Sequence, residues 1–106
     1  MATNLDYKIE EKDKTVKIFL SGRLDATNAG SLMEELKKLA GKELENIVYM
    51  AKNLEYIASA GLRVIIFSKQ KIGMNAKIFM ISPQKDVEDV VTMSGLDNFL
   101  IIQDNY

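Results

Sequence analysis

The sequence predicts an α/β fold: a mixed, mainly parallel sheet of four to five strands with about three to four helices. Near the N-terminus, apolar and polar residues alternate in short runs, as is typical of half-buried strands. Further along, short β-branched runs take turns with longer segments whose apolar residues recur every three to four positions, as in amphipathic helices. Such an order implies parallel strands joined by right-handed helical crossovers.

An antiparallel hairpin is predicted at the N-terminus, at one edge of the sheet. Residues 5–10 alternate, and Leu5, Tyr7 and Ile9 fall on one face. The polar segment 11–14 separates this run from a second apolar run at residues 15–20. Two such runs joined by a short charged turn are typical of a β-hairpin.

Helices and parallel strands are predicted for the remainder of the chain. The first helix begins near Thr27, after several candidate N-cap residues, and ends near Gly41. A second helix runs from near Ser59 to about residue 72, and a third from Gln84, just after Pro83, to about residue 94. The intervening strands are predicted at residues 47–50, 77–81 and, as a last short strand, 99–102.

Length and charge limit the classes of function. A chain of 106 residues fits one domain, residues 1–106, with one hydrophobic core. The formal net charge is −1 with both signs interspersed, which offers no basic field for direct nucleic-acid binding. No apolar run approaches the roughly 18 residues of a membrane span, and the polar N-terminus does not resemble a secretory signal. We therefore expect a cytoplasmic protein with no membrane span.

The chain contains neither cysteine nor histidine. Without cysteine there can be no disulfide, thiolate metal site or thiol redox chemistry. Without histidine the chain lacks the usual general base and the commonest zinc ligand. We therefore expect that the protein is not an enzyme and that it requires no metal or cofactor.

Ser59 is the most informative residue, because it stands where a buried strand gives way to an apolar helix. We expect it at or just before the first turn of that helix, where backbone N–H groups lack partners and an anion is stabilised. Its neighbours Ala58, Ala60 and Gly61 are small and leave the hydroxyl accessible. Serine is also a preferred helix N-cap. The position therefore admits two interpretations, a helix cap or a serine that acquires a phosphate.

Two segments resemble motifs of the STAS domain family, the bacterial anti-sigma factor antagonists. Residues 53–64, Asn-Leu-Glu-Tyr-Ile-Ala-Ser-Ala-Gly-Leu-Arg-Val, are similar to the family's central motif, in which a small residue, glycine and leucine follow the phosphorylated serine. Residues 20–25, Leu-Ser-Gly-Arg-Leu-Asp, resemble the strand-ending signature Gly-x-Leu/Ile-Asp. The order of elements and the length also agree, so the resemblance covers nearly the whole chain.

The resemblance implies regulation of transcription by partner switching. In its unphosphorylated form the protein would bind an anti-sigma factor that is also a serine kinase, and a sigma factor would be released. The kinase would use its own ATP to phosphorylate Ser59, and a serine phosphatase would reverse the modification. The oligomeric state is left open.

The residues around Ser59 each have two interpretations. Asp25 is a helix N-cap or a carboxylate near the first turn, and the resemblance places it on the loop near Ser59, where it shapes the partner contact; the two interpretations are compatible. Arg63 shares a helix face with Ser59 and is either a solvated cation or a partner for a phosphate or an acidic surface. Val64 and Phe67 widen the apolar arc of the helix, either for core packing or for docking. The predicted partner-binding residues are Asp25, Ala58, Ala60, Gly61, Arg63, Val64 and Phe67.

The chain departs from the family pattern at Met50 and Ala58, positions that are often acidic, and this difference bears on recognition by the kinase or phosphatase.

A rival interpretation is a non-catalytic STAS subunit of a larger assembly, such as a lipid-transport complex or a stressosome-like scaffold. Catalytic alternatives lack the necessary groups, since a Ser59 nucleophile would need Lys52 or Lys69 as its base without any supporting motif.

Overall fold

Residues 4–106, described in a computed structural model, form five strands, three α-helices and two short helical turns. The polar N-terminus, which predicts no secretory signal, is only partly covered, because residues 1–3 lie outside the described residues. The strands are β1 (Leu5–Lys12), β2 (Thr15–Leu24), β3 (Asn46–Ile57), β4 (Lys77–Ile81) and β5 (Ile101–Gln103). The helices are α1 (Ala29–Lys37), α2 (Ser59–Phe67) and α3 (Lys85–Met93), with a π-helical turn at Ser68–Ile72 and a 3-10 turn at Leu96–Phe99.

The five strands follow one another across the sheet in the order β1-β2-β3-β4-β5. β1 is antiparallel to β2, and the other three pairings are parallel, which confirms the predicted α/β fold with an N-terminal edge hairpin. The hairpin turn consists of Asp13 and Lys14, whose φ values of 51° and 65° are typical of a type I′ turn. Because β2 to β5 are consecutive, right-handed crossovers place the three helices on one face of the sheet.

The core lies between that face and the helices. Register pairs Ile18 with Tyr49 and Tyr49 with Met80, so one row of side chains crosses three strands beneath the helices. All three side chains are completely buried. On the opposite face the C-terminal Tyr106 packs edge-on against Phe79, with ring centroids 5.0 Å apart. The strands supply Val16, Ile18, Ile47, Tyr49, Ile78 and Met80 to the core, and the helices supply Leu32, Leu36, Val64, Ile65, Val87 and Val91.

The predicted helix starts near Thr27, Ser59 and Gln84 are confirmed to within two residues. The boundaries of the strands differ more. β2 and β3 continue to Leu24 and Ile57, beyond the predicted 15–20 and 47–50, and β5 begins later than predicted because residues 96–99 form the 3-10 turn. The extension of β2 contains Gly22 at φ 97°, where a side chain would collide with the backbone carbonyl of Asn4. Glycine is therefore required in this part of the Gly-x-Leu-Asp segment.

A polar pair lies inside the core where α2 passes into the π-helical turn. The Tyr49 hydroxyl donates to Ser68 Oγ at 2.7 Å, and Ser68 Oγ donates to the backbone carbonyl of Ile65 at 2.7 Å. Both residues are completely buried, so neither hydroxyl can exchange this partner for water. The two hydrogen bonds therefore fasten the end of α2 to the central strand.

The direction of these hydrogen bonds predicts unequal effects of two substitutions. Tyr49→Phe should lower the free energy of unfolding by about 1 kcal/mol, since Ser68 keeps its bond to Ile65. Ser68→Ala should cost about 1–3 kcal/mol, because it leaves the buried Tyr49 hydroxyl without an acceptor. Urea denaturation measures both losses, with Tyr7→Phe on the exposed β1 as the control. A larger loss for Tyr49→Phe than for Ser68→Ala would contradict the assignment.

Tyr49 also predicts a loss of stability in alkali. Burial raises the pKa of its phenol above the ordinary value of 10.0, although the hydrogen bond with Ser68 opposes the shift. The folded protein thus keeps a proton that the unfolded chain releases, so the free energy of unfolding should fall as the pH rises above about 10. The fall should be smaller in Tyr49→Phe, as thermal melting between pH 8 and about 11 would show. Identical pH profiles for the two proteins would refute this prediction.

Candidate functional site

Ser59 is the first residue of α2, directly after the turn from β3 into the helix. β3 ends at Ile57, and Ala58 has an extended backbone with φ −98° and ψ 174°. The Ala58 carbonyl accepts hydrogen bonds from the amides of Gly61 at 2.9 Å and Leu62 at 3.1 Å. Ala58 is therefore the N-cap, and it makes no side-chain capping bond. The predicted location of Ser59 is confirmed, but its interpretation as the capping residue is wrong.

The hydroxyl of Ser59 is exposed and has no hydrogen-bond partner within residues 4–106. In the same range, the amides of Ser59 and Ala60 lack a backbone acceptor, since they belong to the first turn of the helix. No acidic residue lies in that turn to offset the positive end of the helix dipole. The site can therefore stabilise a phosphate on Ser59 without breaking any native hydrogen bond.

Gly61 allows the first turn of α2 to approach the ends of β2 and β3. A Cβ at this position would lie 2.7 Å from Ile57 Cγ1 and 2.8 Å from Leu24 Cγ, both closer than carbon atoms can come. Leu24 and Ile57 are register partners, and the Ala58 amide donates to the Leu24 carbonyl at 2.9 Å. The glycine thus fixes the position of Ser59 relative to the sheet.

Asp25 lies in the loop between β2 and α1, where its carboxylate is occupied. It accepts hydrogen bonds from the Thr27 hydroxyl at 2.6 Å and the Thr27 amide at 3.0 Å. These two bonds, with a smaller contribution from the charge of Arg23, lower the pKa of Asp25 below its ordinary value. The N-cap of α1 is Asn28, so the interpretation of Asp25 as the N-cap is wrong, whereas its carboxylate does lie at the turn that leads into the helix.

The buried Asn28 organises this loop, a role that the sequence pattern does not predict. Its Oδ1 accepts from the Asp25 amide at 3.0 Å, and its Nδ2 donates to the Arg23 carbonyl at 2.9 Å. The candidate capping side chain therefore turns back towards β2 instead of bonding to the helix. The sequence alone gives no signal for this role, because it depends on the burial of Asn28 in the folded chain.

A second feature absent from the predictions is a cation–π contact between neighbouring strand ends. The guanidinium of Arg23 lies 4.1 Å from the centre of the Tyr56 ring, and the two residues are register partners of β2 and β3. Tyr56 is 40% exposed and precedes Ser59 by three residues. Arg63 is also exposed, lies one helical turn after Ser59, and forms no ion pair with any residue in the range 4–106.

The predicted partner-binding residues divide into exposed and buried sets. Val64 is completely buried, and Gly61 is buried on the face of α2 that packs against the sheet. Their prediction as partner-binding residues is therefore wrong: both lie in the core and cannot contact a partner in this conformation. Phe67 is partly buried and packs against the core. The exposed side chains close to Ser59 in the sequence include those of Glu55, Tyr56, Arg63 and, on the next turn, Ile66, and Ala58, Ala60 and Leu62 are partly exposed.

Met50 does not bear on this site. Because β3 continues to Ile57, Met50 lies in the middle of the strand and not at its end. Ile57 lies seven residue steps after Met50, which at about 3.3 Å per step is roughly 23 Å along the strand. Of the two departures from the expected family pattern, only Ala58 is therefore adjacent to Ser59.

Other chemistry has little support in the part of the chain that the structure describes. No group of three or more histidine, cysteine, aspartate or glutamate residues there could hold a metal ion. Lys69, one candidate base for a Ser59 nucleophile, directs its ammonium to the carbonyls of Met74 and Ala76 at 3.3 and 3.0 Å. None of the helices in residues 4–106 has both the length and the apolar composition to cross a membrane.

The close approach at Gly61 predicts opposite effects of the same substitution at two sites. Gly61→Ala should lower the free energy of unfolding by about 1–3 kcal/mol, because the added methyl must displace Leu24 or Ile57. Gly30→Ala is the control: its Cβ would meet nothing within 4 Å in α1, so it should raise stability by up to about 1 kcal/mol. Chemical denaturation of both variants checks this. An unchanged or increased stability for Gly61→Ala would show that the packing is loose.

Comparison with known proteins identifies the fold. The family model described as "STAS domain" matches residues 6–106. Among solved structures, the chain is similar to the anti-sigma factor antagonist SpoIIAA in its unphosphorylated form, with 18% identity, a TM-score of 0.80 and coverage of 92% of this chain and 87% of that one. The phosphorylated form of SpoIIAA, a Bacillus cell fate determinant, gives 18% identity, a TM-score of 0.72 and coverages of 92% and 90%.

A further solved structure agrees with these. An anti-sigma factor antagonist from Mycobacterium paratuberculosis has 17% identity and a TM-score of 0.81, with coverage of 93% of this chain and 85% of that one. At these identities the likeness concerns the fold.

Proposed function

The chain belongs to the STAS domain family, and on this basis we propose that it is an anti-sigma factor antagonist controlled by phosphorylation of Ser59. The observation that supports the proposal most is the exposed Ser59 hydroxyl, which has no hydrogen-bond partner within residues 4–106 and stands at the first position of α2. The solved anti-sigma factor antagonists with the same fold support the assignment to this class.

In the proposed cycle, the unphosphorylated protein binds an anti-sigma factor that is also a serine kinase. Binding releases a sigma factor for transcription, and the kinase then transfers the γ-phosphoryl group of its own ATP to the Ser59 oxygen. A serine phosphatase restores the hydroxyl. The protein serves as substrate and ligand in this cycle and contributes no catalytic group, and the proposed setting is the bacterial cytoplasm.

The surface around Ser59 gives this switch a physical basis. Arg63 offers an exposed cation, and Tyr56 and Ile66 offer apolar area, with exposed fractions of 40% and 38%. Such a mixture fits a partner that combines an apolar patch with an acidic side chain. A phosphate adds about −1.5 to −2 charges beside these residues, and burying that charge without a counter-charge opposes binding. A loss of about 2.7 kcal/mol would weaken the affinity a hundredfold.

The phosphate also has partners within the chain. It can accept hydrogen bonds from the amides of Ser59 and Ala60, and Arg63 lies one turn away on the same helix face. Pairing with Arg63 would withdraw this cation from the partner. Phosphorylation would thus add a negative charge to the docking surface and neutralise its positive one.

The test of the proposal is a comparison of partner affinity among variants of Ser59. The cognate kinase, recovered from cell extract by its binding to the protein, should place one phosphate on Ser59 and none on Ser59→Ala. By calorimetry, Ser59→Ala should bind this kinase constitutively. Ser59→Asp should bind more weakly, and the phosphorylated protein most weakly, since aspartate carries about half the charge of phosphoserine.

Ser31→Ala is a matched control, because Ser31 is an exposed serine of α1. It should be phosphorylated and should bind as the unsubstituted protein does. Ser59→Ala should keep its stability to within about 0.5 kcal/mol, since the hydroxyl makes no native hydrogen bond. Equal affinities for all forms, or a phosphate on Ser68 or Thr92, would refute the switch. If the protein formed a complex whose assembly did not depend on ATP, this would instead favour the rival interpretation, a subunit of a larger scaffold.

A further inference from the structure

β1 is the outermost strand at one end of the sheet, with β2 on one side and no strand of residues 4–106 on the other. The Asn4 carbonyl accepts from the Arg23 amide at 2.9 Å, and the register places Asp6 opposite Ser21. In an antiparallel pair the hydrogen-bonded residues alternate, so Asp6, Lys8 and Glu10 direct their backbone groups to β2.

The alternation assigns the other residues of β1 to the open side. The backbone N–H and C=O groups of Tyr7, Ile9 and Glu11 point away from β2, towards solvent. A strand edge of this kind is a template for another strand. The identity of that strand can be inferred from the order of charges along β1.

We propose that a second copy of this chain pairs with β1 in antiparallel orientation, about a two-fold axis at Ile9. In this register Ile9 lies opposite Ile9 of the second copy, and Tyr7 lies opposite Glu11. These are the residues whose backbone groups face outwards, so the pairing forms six hydrogen bonds with the geometry of an ordinary antiparallel ladder. The two sheets join into one of ten strands, with all helices on the same face.

The same register aligns opposite charges across the axis. Lys8 lies opposite Glu10, and Asp6 lies opposite Lys12, each twice by symmetry. These pairs occupy the non-hydrogen-bonded positions, where facing side chains are closest. The groups are available at the surface, since the side chains of Lys8 and Glu10 are 72% and 48% exposed and now pair with each other at 2.9 Å.

Other registers are worse. An axis at Lys8 or at Glu10 places that residue opposite its own copy and brings like charges together, which destabilises a strand pair. An axis at Tyr7 retains a favourable contact between Asp6 and Lys8 but leaves Glu11 and Lys12 beyond the overlap. Among the antiparallel registers about Tyr7, Lys8, Ile9 and Glu10, the one about Ile9 therefore aligns the most pairs of opposite charge.

The experiment is sedimentation velocity of the full chain at low salt, up to about 1 mM. A single strand pair buries less area than a standard interface of about 1,600 Å², so we expect a reversible dimer in the high-micromolar range. Lys8→Glu and Glu10→Lys should each weaken dimerisation at least roughly tenfold, because two pairs become repulsive. An equimolar mixture of the two variants should recover the dimer, as opposite charges face each other again only across the axis.

The mixture separates contact between chains from contact within one chain, because the internal Lys8–Glu10 pair remains broken in both variants. Lys85→Glu is the control, since it breaks an exposed ion pair with Asp89 on α3 and should leave dimerisation unchanged. Three outcomes would overturn the proposal. The unsubstituted protein could remain monomeric at every concentration, its dimerisation could be unaffected by Lys8→Glu, or the equimolar mixture of the two variants could remain monomeric. These results would leave the Ser59 switch untouched, since that switch is read by phosphorylation and partner binding.

Discussion

The parallel register between β2 and β3 is the constraint on which the rest of the structure depends. It places Ile18 opposite Tyr49 beneath the helices and ends with Leu24 opposite Ile57. A shift of one residue would turn every one of these side chains to the other face of the sheet. Gly61 packs directly against the side chains of this last pair, Leu24 and Ile57. The position of α2, and with it the exposure of Ser59, therefore follows from the pairing of the two strands.

β3 also shows how far the sequence pattern can predict the fold. Residues 47–50 are a regular apolar run, which predicts a strand there. Residues 51–57 are strand too, but two irregularities in the pairing with β2 each add one residue to β3. The buried Leu54 and Ile57 are therefore three positions apart instead of two. Because a β-bulge interrupts the alternation of buried and exposed residues, a prediction based on strict alternation ends the strand at the bulge.

The candidate site was predictable in position but not in geometry. The small residues around Ser59 and the change from strand to helix period marked the place, and both are local properties of the sequence. The burial of Val64 and the contact of Arg23 with Tyr56 depend on contacts between segments distant in the chain. The hydrogen bonds of Asn28 to Asp25 and Arg23 are local, but they depend on the irregular path of the loop. Such contacts leave no periodic trace in the sequence, so the candidate docking residues could not be separated from core residues without the fold.

The proposed switch at Ser59 would act at the surface and leave the fold intact. Ser59 has an exposed hydroxyl without a native hydrogen bond in residues 4–106, and the helix begins on the backbone of Ala58. A charge gained at Ser59 therefore breaks nothing inside the molecule, and the first turn can accept it through free amides. The free-energy change then falls on the complex with a partner.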